Sequence, residues 1–315
     1  MSIDAETLVD RRRLKRRLFF WRITALVGLC IALIAIFAQT GVYPGAAHVA
    51  RVTISGVIVD DPARDQLLAK IASDARVKAV ILSIDSPGGT TTGAEALYES
   101  VRKLAAQKPV VAVLGTLAAS GGYVAALSAD HIVSRGNTLT GSIGVIFQWT
   151  QLAELLDKVG VEIRELKSAP LKAEPSPYHK TSPETLIAMQ SLIGSSYDWF
   201  VGLVAERRHL SPAAAKTLAD GRVYTGFQAV KNGLVDEIGG EDAALAWLAA
   251  KRGITPGLTV EDWATPEDEF DMARFTGKAM GEAALQALTG LSEKTQQTKR
   301  LTLDGLTSLW HPEFP

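Results

Sequence analysis

Cysteine is almost absent from this chain: Cys30 is the one such residue in 315. A lone cysteine forms no intrachain disulfide, so the folded part needs no oxidising compartment, although it is compatible with one. Histidine is scarce as well. The five histidines are scattered, and no Cys/His group has metal-ligand spacing, so no structural zinc site and no other metal or cofactor is expected. An excess of charge of either sign is missing, with 33 Lys+Arg against 34 Asp+Glu. That balance gives no reason to expect nucleic acid as a partner. No internal repeat is visible. What remains is a 47% hydrophobic chain, long enough for one large or two small domains with a sizeable core.

The charge that is present is unevenly spread. Arg11, Arg12, Arg13, Lys15, Arg16, Arg17 and Arg22 crowd the N-terminus. Residues 1–17 read as a basic cytoplasmic lead. The near-continuous apolar run that follows, residues 18–38, matches the ~20 residues that cross a bilayer core. Basic residues on its N-terminal side keep that side cytoplasmic, which exports everything after Gln39. Trp21 and Tyr43 lie near the two ends, where amphipathic aromatics sit at membrane interfaces. A cleaved signal peptide is the competing reading, with Ala46–Ala50 as a small-residue cleavage site. The length of the run and of its basic lead favours an anchor.

The soluble part begins near His48. Val49–Val59 is β-rich, Pro62–Ala75 has helical spacing and Val77–Ile84 is a strand running into a turn-rich loop, Asp85-Ser86-Pro87-Gly88-Gly89. Thr92–Ala106 reads as a helix with Leu97, Val101 and Leu104 on one face. The stretch from Val110 to Ala126 starts as a buried strand and ends as a buried helix, with Ser120-Gly121-Gly122 between them. Short strands are expected at Asp130–Ser134, just after Thr140-Gly141-Ser142, and at Val161–Leu166, with a helix at Leu152–Val159. A proline-bearing loop, Lys167–Pro183, precedes a long helix, Pro183–His209. Ser211 caps a further helix with Pro212 at its first position. Helix at Phe227–Lys231, strand at Leu234–Ile238, helix at Glu241–Arg252 and strand at Leu258–Trp263 complete the pattern. One folded domain is expected over 48–255. Residues 256–315 form a C-terminal extension, with a short amphipathic helix at 277–290 and a flexible end at 292–315.

Alternating strands and helices argue for an α/β fold with a largely parallel sheet and right-handed crossovers. Sites in such sheets form at the carboxyl ends of strands. The Asp85–Gly89 loop and Ser120 both follow strands, so both belong at that edge. Ser120 at a strand-to-helix junction suits a nucleophile whose reaction makes an oxyanion, although the stretch taken alone favours an ordinary helix cap. Gly121 and Gly88-Gly89 can present backbone N–H groups to that oxyanion, since glycine lets a substrate backbone approach closely. The proton acceptor is less determined. His131 begins an apolar strand and reads as structural, and His179 looks solvated. Lys167, Lys172 and Lys180 share one loop, and chemistry alone does not choose among them.

Four stretches in order carry a resemblance: Asp85–Gly89; Ala119-Ser120-Gly121-Gly122-Tyr123; Thr140-Gly141-Ser142-Ile143-Gly144-Val145; and Asp220-Gly221-Arg222-Val223-Tyr224-Thr225-Gly226 with Gly233-Leu234-Val235-Asp236. Over roughly residues 50–255 the chain resembles the short, single-domain form of bacterial signal peptide peptidase A. That is a family of membrane-anchored serine–lysine proteases on the Clp protease/crotonase fold, built of repeated ββα and βα units. The resemblance implies Ser120 as nucleophile and Lys172 as base, within Ser168-Ala169-Pro170-Leu171-Lys172, where Ala169 stands in place of the usual glycine. It implies Ser142 as the serine that holds the lysine, and Gly89 and Gly121 as oxyanion donors. It further implies signal peptide remnants as substrates, a homo-oligomeric ring, often an octamer, and an inner-membrane protein with its catalytic domain outside the cytoplasm. The alternatives are an inactive membrane scaffold of the same fold and a crotonase-like acyl-CoA enzyme. The second is disfavoured by the export signal, because CoA is cytosolic.

Overall fold

The computed structural model describes residues 17, 19–29 and 46–265, and the backbone of Thr307–Leu309. Contacts divide the chain into Met1–Ala46 and Ala47–Pro315. In the first unit residues 19–29 are helical. The basic lead at 1–17 and the apolar span at 18–38 lie for the most part outside the described residues, as does the helix expected at 277–290. Among the described residues no helix is long and apolar enough to cross a membrane.

The second unit is α/β. Its elements in order are β1 (His48–Ile58), α1 (Pro62–Ser73), β2 (Val77–Thr90), α2 (Thr91–Ala105), β3 (Val110–Ala119), α3 (Gly121–Leu127), β4 (His131–Ser134) and β5 (Leu139–Gly141). There follow α4 (Ala153–Val159), α5 (Pro183–Arg207), α6 (Pro212–Leu218), β6 (Val223–Thr225), α7 (Gly226–Lys231), β7 (Glu237–Ile238), α8 (Glu241–Arg252), β8 (Thr259–Trp263) and β9 (Thr307–Leu309). Among the described residues they make one sheet, with β6-β5-β3-β2-β1-β8 side by side, β4 between β3 and β7, and β9 on β2. Every pairing is parallel except β5–β6 and β2–β9.

The parallel centre follows from burial on both faces. On β2, Val80, Leu82 and Ile84 face one core while Ala79 and Ile81 face the other. Successive strand side chains point to opposite faces, so a strand covered on both sides reads as an unbroken apolar run. The first core is closed by α2, whose Leu97, Val101 and Leu104 are buried on the predicted face. Each such side chain contributes roughly 1.5–3 kcal/mol of burial. The second core is closed by α8 through Ala244 and Leu248. Caps fix several helix starts: Asp61, Thr90, Ser182, Ser211 and Thr225 each accept from a first-turn amide.

Three expectations need correction. Asp85–Gly89 is not a loop: β2 continues to Thr90, because β1 stays beside it, pairing Val57 with Gly88 and Ile58 with Gly89. The turn chemistry appears instead as register shifts after Ile84 and after Ser55. The strand near Thr140 lies earlier than expected, at Leu139–Gly141, since β6 pairs with these residues and not with Ile143–Ile146. Val161–Leu166 is not a strand, and Val161, Ile163 and Leu166 are exposed. A strand needs a neighbour to satisfy its backbone, and within the chain this segment has none among the described residues. Of residues 292–315, expected to be flexible, only Thr307–Leu309 are described, as β9.

Candidate active site

Ser120 sits where β3 ends and α3 begins, with φ 57° and ψ −120°. This conformation costs a non-glycine residue about 1–3 kcal/mol, and such strain persists only where surrounding structure imposes it. The imposing bonds are visible. The Ser120 N–H donates to the Gly141 carbonyl at 2.8 Å, and the Ser120 carbonyl accepts from Tyr123 and Val124 at 2.9 and 3.0 Å. The side chain makes no capping bond to α3, which removes the ordinary reading of Ser120 as a helix cap. Ser120 is buried, and Gly121 and Gly122 are buried behind it.

Gly89 and Gly121 come together across the β2–α3 junction. A methyl built on Gly121 would lie 3.1 Å from the Gly89 nitrogen. One built on Gly89 would lie 1.7 Å from the Ile58 carbonyl oxygen, so no side chain fits there. Two amides therefore flank the turn that carries Ser120, with Gly121 in the first turn of α3, where N–H groups lack intrahelical acceptors. Ser86 locks the approach to this corner. Its fully buried hydroxyl donates to the Gly56 carbonyl at 2.6 Å and accepts from the Gly88 N–H at 3.1 Å.

Ser142 is joined to Ser120 through its neighbour Gly141. It also has left-handed backbone, with φ 48°, and its N–H donates to the Arg222 carbonyl at 2.9 Å. β6 braces this pair. Gly141 opposes Val223 in the β5–β6 ladder, and the Tyr224 ring lies so close to Gly141 that an added methyl would meet it at 2.7 Å. The Tyr224 hydroxyl donates to the Leu218 carbonyl at 3.1 Å. The Asp220–Gly226 stretch thus acquires a role that its sequence did not disclose: it holds the backbone that holds Ser120.

Lys172 is elsewhere. It is exposed on a turn, its N–H donating to the Ala169 carbonyl at 3.1 Å, and within the chain its ammonium bonds to neither Ser120 nor Ser142. Lys167 and Lys180 make ion pairs instead. Lys167 lies 2.7 Å from Glu174 and 2.9 Å from Glu165, and Lys180 3.7 Å from Glu154. Hydrogen bonding to Glu174 raises the Lys167 pKa, and the same bond lowers that of Glu174. Lys167 is thereby held charged, which disqualifies it as a base near neutral pH. His179 stands 3.2 Å from Glu174 in the same cluster, and His131 stacks on Trp247 at 4.6 Å with its Nε2 2.9 Å from Glu237. A cavity of about 770 Å³ is walled by Pro170, Leu171, Glu174, His179 and Thr185 among others, and neither Lys172 nor Ser120 lines it. Among the described residues no His/Cys/Asp/Glu group could hold a metal ion.

Comparison with known proteins decides the family. The model of peptidase family S49 matches residues 102–255. A putative protease of Synechocystis sp. is 38% identical over 250 residues, spanning 78% of this chain and 88% of the relative. The chain belongs to peptidase family S49. A putative signal peptide peptidase SppA of Enterococcus faecium, also 38% identical, aligns with 68% of this chain and 66% of its own length. This S49 member is therefore signal peptide peptidase A-like and a serine-type protease. Among solved structures, a ClpP1 mutant from Listeria monocytogenes aligns with 60% of this S49 chain and 91% of its own, at 20% identity and a TM-score of 0.39.

Proposed function

We propose that this protein is a membrane-anchored endopeptidase in which Ser120 attacks the scissile carbonyl and Lys172 takes its proton. The observation that carries this reading is the left-handed backbone of Ser120 beside the Gly89–Gly121 pair. An acyl-transfer serine needs two amides where negative charge develops. The N–H groups of Gly121 and Gly89 are the donors for the tetrahedral oxyanion. Lys172 must be neutral to accept the proton, and Ser142 holds its amine. The protonated amine gives its proton to the leaving nitrogen as the C–N bond breaks and the acyl-enzyme forms; the neutral amine then takes a proton from the water that attacks the ester and returns it to Ser120 as the acid product leaves.

Lys172 acts, in this reading, on Ser120 of a neighbouring copy in a homo-oligomeric ring, with an octamer as the expected size. Two observations support this. The Lys172 ammonium finds neither serine within its own chain. The segment leading to it exposes Leu155, Val159, Val161 and Ile163, an apolar surface that water disfavours and a second copy would cover.

Substrates are peptides lying at the membrane, signal peptide remnants foremost. The apolar run at 18–38, with its basic lead, anchors the enzyme there from the extracytoplasmic face of the bacterial inner membrane. The test is hydrolysis of an apolar peptide by the full chain in detergent or vesicles. Ser120→Ala and Lys172→Ala are each expected to be inactive. Mixed subunits of the two variants are expected to recover about a quarter of wild-type activity, because a site needs an intact serine from one copy and an intact lysine from its neighbour. Recovery of nothing, in assembled mixed rings, would confine the dyad to one chain. Full activity of Lys172→Ala would remove the lysine from the mechanism.

A further inference from the structure

Lys172 sits on a turn that the hydrophobic core does not hold. Leu171 beside it is about half exposed, and Pro170 and Leu171 border the cavity. Within the turn the Lys172 N–H donates to the Ala169 carbonyl at 3.1 Å and the Glu174 N–H to the Leu171 carbonyl at 3.4 Å. Ala173 between them has left-handed backbone, with φ 58°. Such backbone persists in a non-glycine residue only where its surroundings impose it. Glu174 is placed to impose it. Its side chain is only 6% exposed, and both carboxylate oxygens are engaged. Oε1 accepts from the Lys167 ammonium at 2.7 Å and lies 3.2 Å from His179 Nε2, while Oε2 accepts from the Ser176 N–H at 3.1 Å. Ser176 is itself buried, and its hydroxyl accepts from the Tyr178 N–H at 3.3 Å. Lys167 and Glu174 are seven residues apart, so their ion pair ties together the two ends of the loop that presents Lys172.

We propose that Glu174 is a positioning residue for Lys172: clamped between Lys167 and the Ser176 N–H, it fixes the backbone from which the amine is presented. The inference rests on the reading of Lys172 as base and adds to it the group that aims that base. Lysine is a point charge on a flexible stem, so the placing of its amine depends on the backbone that carries it. A general base must stand within hydrogen-bond reach of the hydroxyl whose proton it takes. The bonds made by Glu174 are charge-assisted and about twice as strong as neutral ones, which suits them to hold a turn that packing leaves loose. Losing them costs the proton transfer and not the binding of substrate. The Glu165 carboxylate meets Lys167 at 2.9 Å and His179 at 3.4 Å, both outside the turn, so it shares the cluster without bracing Lys172.

The test is hydrolysis of an apolar peptide by the full chain, in detergent or vesicles, carrying Glu174→Ala, Glu174→Gln, Glu165→Ala or Lys172→Ala. Glu174→Ala is expected to lower kcat by about ten- to a hundredfold with KM unchanged, since misplacement by ~1 Å costs on the order of 10²-fold. Amide exchange at residues 172 and 174 is expected to quicken in the same variant. Glu174→Gln keeps the size of the side chain and one acceptor oxygen, and is expected to recover part of the loss. Where Glu174→Ala does not fold, Glu174→Gln carries the test, with kcat several-fold down and KM unaltered. Glu165→Ala is expected to keep the kcat and KM of the unaltered chain. An undiminished kcat in both Glu174 variants, or a rise in KM that accounts for the whole loss, would overturn the proposal. Equal impairment of Glu165→Ala and both Glu174 variants would mark a general loosening of the loop and overturn it too. Full activity of Lys172→Ala would remove the base, and the positioning role with it. An inactive Lys172→Ala beside a fully active Glu174→Ala would leave the base standing and defeat this inference alone.

Discussion

Replacing Gly121 by alanine separates geometry from stability at the corner proposed for the oxyanion. The added methyl would lie 3.1 Å from the Gly89 nitrogen and 3.3 Å from both the Gly88 Cα and the Ala94 Cβ, so its neighbours must give by a few tenths of an ångström. Two of those three atoms belong to backbone, and the Gly89 side is already closed by the Ile58 carbonyl. The displacement therefore falls on the separation of the two amides. Misplacement by ~1 Å costs on the order of 10²-fold in rate, so a few tenths cost roughly three- to tenfold. Full loss of one donor would cost about 10²–10³-fold. Stability moves little. Overpacking costs about 1 kcal/mol at this contact distance, and alanine at a helical position returns about 0.4–1 kcal/mol by restricting the unfolded chain. Thermal unfolding is thus expected within about 3 °C of the unaltered protein. Gly202→Ala in α5 is the control, since nothing lies within 4 Å of a methyl there. The assay is kcat on an apolar peptide alongside a melting curve. Unchanged kcat in a folded Gly121→Ala protein would refute the assignment of this corner to the oxyanion. A collapse of kcat and melting temperature together would show that packing, not donor geometry, was altered.

Other outcomes follow from the same contacts. Tyr224→Ala is expected to lower kcat by about tenfold with KM nearly unchanged, because it loosens Gly141 and so the turn at Ser120; Tyr224→Phe, which keeps the ring against Gly141, should recover most of the loss. Tyr123 donates to the Leu234 carbonyl at 2.7 Å from a fully buried position, so Tyr123→Phe should cost about 1–3 kcal/mol by orphaning that carbonyl. Burial also raises the Tyr123 pKa above its ordinary value. A raised folded-state pKa on an acid that is neutral when protonated gives stability that is present below the unfolded pKa, about 10, and lost as pH rises past it. Urea midpoints measured from pH 8 to 11 should fall with pH in the unaltered chain and fall less steeply in Tyr123→Phe. Asp236 accepts from Arg208 at 2.6 Å and from the Ile132 N–H at 2.7 Å. Asp236→Ala is expected to cost about 3 kcal/mol, read by chemical denaturation, by leaving Arg208 without its carboxylate.

Much of the fold was legible because burial writes itself into sequence. β2 and β3 are apolar without interruption since cores lie on both faces, and α2 shows its buried stripe at Leu97, Val101 and Leu104. What was not legible depended on partners distant in sequence. Asp85–Gly89 has turn chemistry, yet β1 keeps it in the sheet. Thr307–Leu309 carries no strong strand signal, and its strand exists because an edge is open at Gly88–Thr90. Val161–Leu166 has the residues of a strand and no neighbour to pair with among the described residues. The site divides in the same way. Ser120 and its glycines were readable from a strand–serine–glycine–helix pattern, and the structure brings Ser120, Gly121, Gly89 and the Gly141–Ser142 turn to one corner. The part played by Tyr224 was not readable, because it acts through the backbone of another strand. Only resemblance singles out Lys172 among the three lysines of its loop, and Lys167 is committed to Glu174 and Glu165.

The most direct measurement is the rate at which a fluorophosphonate probe acylates Ser120 from pH 6 to pH 10, in the unaltered protein and in Lys172→Ala. If an uncharged amine draws the proton from that hydroxyl, labelling rises with pH, maps to Ser120 alone and disappears when Lys172 is removed. Labelling that persists at an undiminished rate in Lys172→Ala, or that ignores pH across this range, would contradict the account.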